Sequence, residues 1–262
     1  MFAKLLKHEW KSTGGMLGIF SACILGLGLL GGLLLRFAMN SAGTANDTEM
    51  ILILSIVALP LYYVALIAYS LGGQIYLAIQ FYKSKFTDRG YLSFTLPVRP
   101  WQIYLSSLLN MVTWTVIISA VVVATVALTL TVGMYSTGIW REIAEILEMI
   151  GKEDLYVFGY SVWTLVELLV GFIASNVILI TGITLGCVVA QKHKVLAAIG
   201  FYFAINTVIG IISAVIGVAA LLSSAGGNMN PVYMITALLQ MAVSVGGTVV
   251  SIWLMNKKLN LP

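Results

Sequence analysis

Charged side chains are scarce in this sequence. Asp, Glu, Lys and Arg make up only 9% of its 262 residues, whereas a soluble domain carries about a quarter. Hydrophobic residues make up 60%, which is more than a water-soluble fold of this length can bury. Apolar runs cover nearly the whole chain and leave no stretch for a separate globular domain. We therefore expect a single membrane domain over residues 1–262.

Patterns for catalysis and metal binding are also missing. Cys23 and Cys187 lie within apolar runs without CxxC or Cys/His spacing, which argues against a zinc site and a disulfide framework. His8 and His193 lie in separate basic clusters and form no HExxH motif. The sequence has no GxxxxGK[ST] phosphate loop and no Lys or His base beside the serines of the apolar runs. We expect no enzyme activity and no cofactor or metal in this chain itself.

Six apolar runs are long enough to cross a bilayer. Windows of about 20 residues place helices near residues 16–39, 50–82, 101–134, 160–190, 195–222 and 232–255. The runs lack the two-residue alternation of a membrane barrel, so helices must satisfy the backbone in lipid. No small-residue cleavage site follows the first run, which we interpret as a retained helix rather than a secretory signal. The sequence thus predicts an all-α, polytopic membrane protein with six transmembrane helices.

Basic residues collect on one side of these predicted spans. Eleven of the fourteen Lys and Arg residues lie there: Lys4, Lys7, Lys11, Lys83, Lys85, Arg89, Arg99, Lys192, Lys194, Lys257 and Lys258. The positive-inside rule makes this side cytoplasmic, so both termini are expected inside the cell. The basic clusters adjoin apolar runs instead of lining one polar face, and we expect the lipid bilayer, not nucleic acid, as their partner.

Two segments outside the spans have amphipathic helical spacing. In residues 1–13, apolar and basic side chains take opposite faces, which predicts a helix lying in the inner membrane interface. Gly14 and Gly15 would then form an elbow into the first span. The alternative is a plain basic flank that only fixes the topology. In the predicted outer loop 135–159, isoleucines and glutamates predict a short helix that shields the helix ends or caps a path through the membrane.

A few polar residues fall inside the apolar runs. Glu167 is the ionisable one that stands out, and a buried charge in lipid is a candidate functional group by default. It either lines a substrate path or caps neighbouring polar groups as a neutral acid. Asn110 and Asn206 are expected to face other helices or a cavity, and are the other candidate pathway residues.

Glycine and proline positions indicate how the spans pack. Glycines four residues apart allow close helix approach, and three such pairs occur: Gly14 and Gly18, Gly28 and Gly32, Gly182 and Gly186. Pro60 is expected to kink the second span. The second and third spans, at about 32 residues, would reach about 48 Å, against about 30 Å for the hydrocarbon core. Their ends are therefore expected to extend into the cytoplasm on either side of the loop 83–100.

The segment 82–104 reads YKSKFTDRGYLSFTLPVRPWQIY. Its FTDRGYLSFTLPV core resembles the loop between the second and third helices of type-2 ATP-binding-cassette (ABC) exporter permeases. It is most similar to the small bacterial subunits encoded beside a separate ATPase. The MFAKLLKHEWK start and the six-span plan fit the same resemblance.

The resemblance implies that the loop 83–100 couples the chain to an ATPase. A coupling helix would sit in a groove of the cytoplasmic ATPase and move when ATP closes its dimer, with ATP and Mg on that partner. The implied coupling residues are Phe86, Asp88, Arg89, Gly90, Tyr91, Leu92, Phe94, Leu96 and Pro97. The alternative is a topogenic loop whose aromatic side chains rest on the membrane interface.

The expected function is that of an export permease in a bacterial cell membrane. Two copies, or this chain and a paralogue, would join two ATPase subunits and move an amphiphile such as an antimicrobial peptide, a lipid or a drug. One alternative is a six-helix importer subunit or a secondary carrier, and a carrier should show paired broken helices and more intramembrane ionisable groups. Another is a non-transporting membrane sensor or scaffold, which shares every bulk feature with the permease.

Overall fold

The described part of the chain is all-α, with six long helices. The computed structural model describes residues 2–41, 48–87, 100–133, 141, 155–190, 192–223 and 230–257. The helices are α1 (Phe2–Ser41), α2 (Thr48–Lys85), α3 (Pro100–Gly133), α4 (Leu155–Val189), α5 (Lys194–Ser223) and α6 (Asn230–Lys257). Each contains a stretch long and apolar enough to span a membrane. The predicted class of multi-pass membrane protein with six candidate spans is confirmed.

Two of the prolines in the described residues lie where they interrupt the helices least. Pro100 is the first residue of α3 and Pro231 the second residue of α6, and a first-turn residue lacks an intrahelical acceptor for its N–H in any case. Pro60 is the exception, since it lies inside α2 and the helix continues on both sides of it. Helix α2 is therefore not broken at Pro60, and the kink expected there stays a prediction.

The chain divides into two compact units, and α1, α2 and α3 contribute to both. The first unit contains Met1–Trp10, Leu77–Thr113 and Asp154–Pro262, and the second contains Lys11–Tyr76 and Trp114–Glu153. The helix predicted in the loop 135–159 lies mostly outside the described residues. The interfacial position of residues 1–13 stays a prediction.

Small residues hold α1 against α3 in the second unit. A Cβ at Gly28 would lie 2.5 Å from Thr125 Cγ2, and one at Gly32 would lie 2.8 Å from Val132 Cβ. The Thr129 hydroxyl also donates a hydrogen bond to the Gly28 carbonyl over 3.0 Å. The close approach predicted for this glycine pair is confirmed.

The expected elbow at Gly14 and Gly15 is not observed. Helix α1 runs without interruption from Phe2 to Ser41. A Cβ at Gly14 would lie 3.2 Å from the Trp114 ring, so this glycine admits a bulky aromatic neighbour instead of bending the chain. Gly18, its predicted partner in close packing, has open space at its Cβ position.

Helix α4 has the most extensively buried segment of the first unit. Its residues 176–184 are all buried, between α5 on one side and α6 on the other. A Cβ at Gly182 would lie 3.0 Å from the backbone of Tyr202, and one at Gly186 would collide with the backbone of Ala198. On the α6 side, Gly247 lies against Val177 and Thr181. Glycines thus bring α4 into contact with both neighbouring helices.

The close contact of α4 with α5 predicts unequal effects of two alanine substitutions. Gly186→Ala should lower the free energy of unfolding by about 1–3 kcal/mol, because a backbone segment cannot yield as a flexible side chain does. Gly200→Ala is the matched control, since nothing lies within 4 Å of its Cβ position. Denaturant titration of both variants in detergent measures the difference, and equal stability would contradict the packing described.

Candidate functional site at the base of the loop 83–100

A buried ion pair joins α1 to the end of α2. The Lys85 ammonium donates a hydrogen bond to Glu9 Oε1 over 2.8 Å. The two side chains are only 3% and 14% exposed, respectively. Lys85 is the last residue of α2, so the pair lies where the loop 83–100 leaves that helix.

Two serines near the start of α3 complete this arrangement. Ser107 Oγ lies 2.9 Å from Glu9 Oε1 and Ser106 Oγ lies 3.5 Å from the same oxygen. Both hydroxyls also lie within 2.9 to 3.1 Å of the Ile103 carbonyl, which holds them on the helix side that faces Glu9. We call Glu9, Lys85, Ser106 and Ser107 the loop-base cluster. One carboxylate therefore ties together three helices, two of which flank the loop.

Because the loop-base cluster is buried, loss of the contacts between its members lowers the stability of the chain. Two charges removed from water lose hydration, which is offset only if they stay paired and hydrogen-bonded. Removing one partner of a buried pair typically costs about 3–5 kcal/mol, because the other charge stays behind uncompensated. The four groups can thus be expected to move as one body.

Aromatic packing fixes the first residues after α2. The Phe86 N–H donates to the Tyr82 carbonyl over 2.8 Å, and the Phe86 side chain is buried. Its ring meets Phe81 edge-on and stacks on Tyr82, with centroids 5.9 and 6.3 Å apart. Phe86, expected from the sequence to be an anchor for a partner, packs on its own helix. The first residue after α2 is thus held against that helix.

The other predicted coupling residues lie outside the described part of the chain. They are Asp88, Arg89, Gly90, Tyr91, Leu92, Phe94, Leu96 and Pro97. The structure describes the two ends of the loop, and it is these ends that the loop-base cluster holds.

The three candidate pathway residues occupy different environments. Glu167 is half-buried on α4, and its Oε1 accepts a hydrogen bond from the Thr236 hydroxyl of α6 over 2.8 Å. Asn110 is buried on α3, whereas Asn206 is exposed on α5 and donates to the Tyr202 carbonyl of its own helix. For Glu167, the contact is with one neighbouring hydroxyl group, and both roles considered for this residue stay predictions.

A polar seam between α4 and α6 was not predicted. The Thr181 and Ser251 hydroxyls lie 3.0 Å apart, and both side chains are buried. Thr184 lies 3.5 Å from the same serine, and the Tyr104 hydroxyl of α3 lies 3.2 Å from Thr248. In an apolar surrounding, hydroxyls paired across helices favour one relative position of those helices. The seam stabilises the packing of α3, α4 and α6.

Glu9, Ser106 and Ser107 were also absent from the residues singled out in the sequence. Glu9 is an acid within an otherwise basic segment, and we interpreted that segment only as an amphipathic face. The signal that was present is a pair of opposite charges, Glu9 and Lys85, at span ends predicted to lie on the same side. Opposite charges at one membrane face are natural partners when their helices adjoin.

Loss of Lys85 should destabilise the chain far more than loss of an exposed lysine. Lys85→Ala removes the ammonium that bonds the buried Glu9 carboxylate, with an expected loss of about 3–5 kcal/mol in the free energy of unfolding. Lys4→Ala is the control on the exposed face of α1 and should change stability by less than about 0.5 kcal/mol. The double variant Glu9→Gln, Lys85→Met should recover part of the loss. Denaturant titrations test this, and similar values for the two alanine variants would contradict the ion pair's importance.

No family model, curated protein or solved structure matches this chain. The resemblance of the segment 82–104 to exporter permeases therefore stays an expectation. The structural observation that bears on function is the geometry of the loop-base cluster.

Proposed function

We propose that this chain is the membrane-spanning permease subunit of an ATP-driven ABC exporter. The observation that carries the proposal is the loop-base cluster, which ties both ends of the loop 83–100 to α1. A loop that only sets topology needs no buried ion pair beneath it. A loop that transmits force needs a rigid attachment to the helices that it moves.

The dimensions of α2 and α3 support this role for the loop. They contain 38 and 34 residues, which correspond to about 57 and 51 Å of helix. A hydrocarbon core of about 30 Å leaves a substantial part of each helix beyond the membrane, even with tilt. A displacement of the loop then moves the long helices α2 and α3, and the Glu9 contact transmits this movement to α1 as well.

In this proposal a cytoplasmic ATPase binds the loop and supplies the energy. Its subunits hold ATP and Mg, and hydrolysis takes place on them, while the chain itself performs no catalysis. The positive-inside rule, applied to the basic residues, supports a cytoplasmic position of the loop and both termini. The resemblance to exporter permeases implies a bacterial cell membrane. Closure of the ATPase dimer pushes the loop, and the attached helices rearrange.

The substrate in this proposal is an amphiphile, such as an antimicrobial peptide, a lipid or a drug. A single six-helix chain provides half of the pathway, so a second copy or a paralogue supplies the other half. Glu167, Asn110 and Asn206 are the pathway candidates. Glu167 is held by Thr236, and its position between α4 and α6 makes it sensitive to any relative movement of those helices.

A secondary carrier is less well supported by the described helices. Carriers place their binding sites at paired helices interrupted near the middle of the membrane. Each of the six helices described here is continuous between its own bounds, including α2 through Pro60. An importer subunit or a sensor is distinguished from an exporter by flux measurements, since an exporter moves substrate out of cells and into the lumen of inverted vesicles.

Substitutions in the loop should separate binding of the ATPase from folding of the chain. Arg89→Ala and Tyr91→Ala should each reduce copurification with the ATPase of the neighbouring reading frame, and lower substrate-stimulated ATP hydrolysis at least about tenfold, as expected for anchor residues of an interface. Lys7→Ala, a loss of one exposed charge on the same predicted side, is the control and should have little effect. Pull-down in mild detergent followed by ATPase assay gives both readouts.

The proposal fails if the wild-type chain binds no nucleotide-hydrolysing subunit under these conditions. It also fails if a membrane-impermeant thiol reagent applied to intact cells labels a cysteine placed at Ser93. That result would put the loop outside the cell, where no ATPase can reach it.

A further inference from the structure

A cleft of about 490 Å³ opens between the end of α2 and the junction of α4 with α5. Its wall residues are Tyr82, Lys192, His193, Lys194, Val195, Leu196 and Ile199. Three successive side chains of the junction, Lys192, His193 and Lys194, carry basic groups, and the rest of the wall is apolar apart from the tyrosine hydroxyl. A cleft with a cationic rim and an apolar floor suits a ligand that is anionic at one end and apolar at the other.

The cations of the cleft are available to a ligand. Lys192 and His193 are exposed and Lys194 is half-buried. Among the described residues, Lys85 forms an ion pair with Glu9, whereas neither Lys192 nor Lys194 has an acidic partner. Like charges so close in sequence repel each other, and an anion between them relieves this repulsion.

The apolar floor of the cleft faces away from the chain. Val195, Leu196 and Ile199 are 55%, 73% and 50% exposed. They begin the candidate span of α5, which starts at Lys194, while that of α4 ends at Val189. The basic side chains are therefore at the depth of lipid head groups and the apolar ones at the depth of acyl chains.

We propose that this cleft is a binding site for an anionic phospholipid. The head-group phosphate lies among Lys192, His193 and Lys194, with the Tyr82 hydroxyl available as a donor, and an acyl chain covers Leu196 and Ile199. A soluble phosphate compound would leave this floor uncovered, and for that reason a lipid is favoured. The site does not require the chain to be a transporter.

The lipid would also adjoin the loop 83–100. Tyr82, on the wall of the cleft, stacks on Phe86 at the start of that loop. Occupation of the cleft would thus restrain the Tyr82 ring, on which Phe86 packs.

Native mass spectrometry of the full chain, released from nanodiscs of phosphatidylglycerol and phosphatidylcholine, tests the proposal. The wild-type chain should retain phosphatidylglycerol selectively. The double variant Lys192→Gln, Lys194→Gln should bind it about twenty-five-fold more weakly, since each lysine near an anionic lipid contributes about fivefold. The double variant Lys4→Gln, Lys7→Gln makes the same charge change on the exposed face of α1 and should stay within about twofold of wild type.

Three results would overturn the proposal. The first is no selectivity in the wild-type chain, and the second is an equal loss in both double variants, which would indicate a general charge effect. The third is displacement of the lipid by millimolar glycerol phosphate, which would indicate a soluble ligand. If the Lys192, Lys194 double variant does not stay monodisperse, Lys192→Gln alone changes only an exposed side chain and should weaken retention about fivefold.

Discussion

The buried contact between Glu9 and Lys85 is the constraint on which the proposed mechanism depends. Two charges withdrawn from water beside apolar spans must stay together, since separation removes the attraction that offsets their lost hydration. This requirement holds the start of α1 against the end of α2, and Ser106 and Ser107 extend it to α3. Any force on the loop 83–100 then reaches three helices together.

Helix packing elsewhere in the chain uses a different interaction. Lipid provides no hydrophobic drive between apolar helices, so close contact depends on shape and on a few hydrogen bonds. In the second unit Gly28 and Gly32 admit α3, and in the first unit Gly186 admits the backbone of α5. Thr181 and Ser251 add a hydrogen bond between α4 and α6. Small residues thus determine which helices adjoin, while the ion pair determines which helix ends move together.

The sequence predicted the helices well and their mutual contacts only in part. Long apolar runs report membrane spans directly, because backbone groups in lipid have few alternatives to the helix. Glycine spacing predicted the close helix contacts at Gly28 and Gly186. It did not predict that α1 is unbroken at Gly14, or that Gly14 packs against Trp114 of α3. The loop-base cluster was not predicted because its other three members lie at least 76 residues from Glu9 in the sequence. Hydrophobic periodicity indicates which face of a helix is apolar. It does not identify the helix that packs against that face.

In the proposed mechanism, the direct ion pair at the base of the loop couples an ATPase to the membrane helices. Exchange of the two charges tests this claim most directly, with substrate-stimulated ATP hydrolysis by the reconstituted complex as the readout. We predict that Glu9→Lys and Lys85→Glu each abolish stimulation, since like charges then face each other, and that the double exchange restores a substantial part of it. A double exchange as inactive as the single variants, in a complex that remains assembled, would contradict the claim.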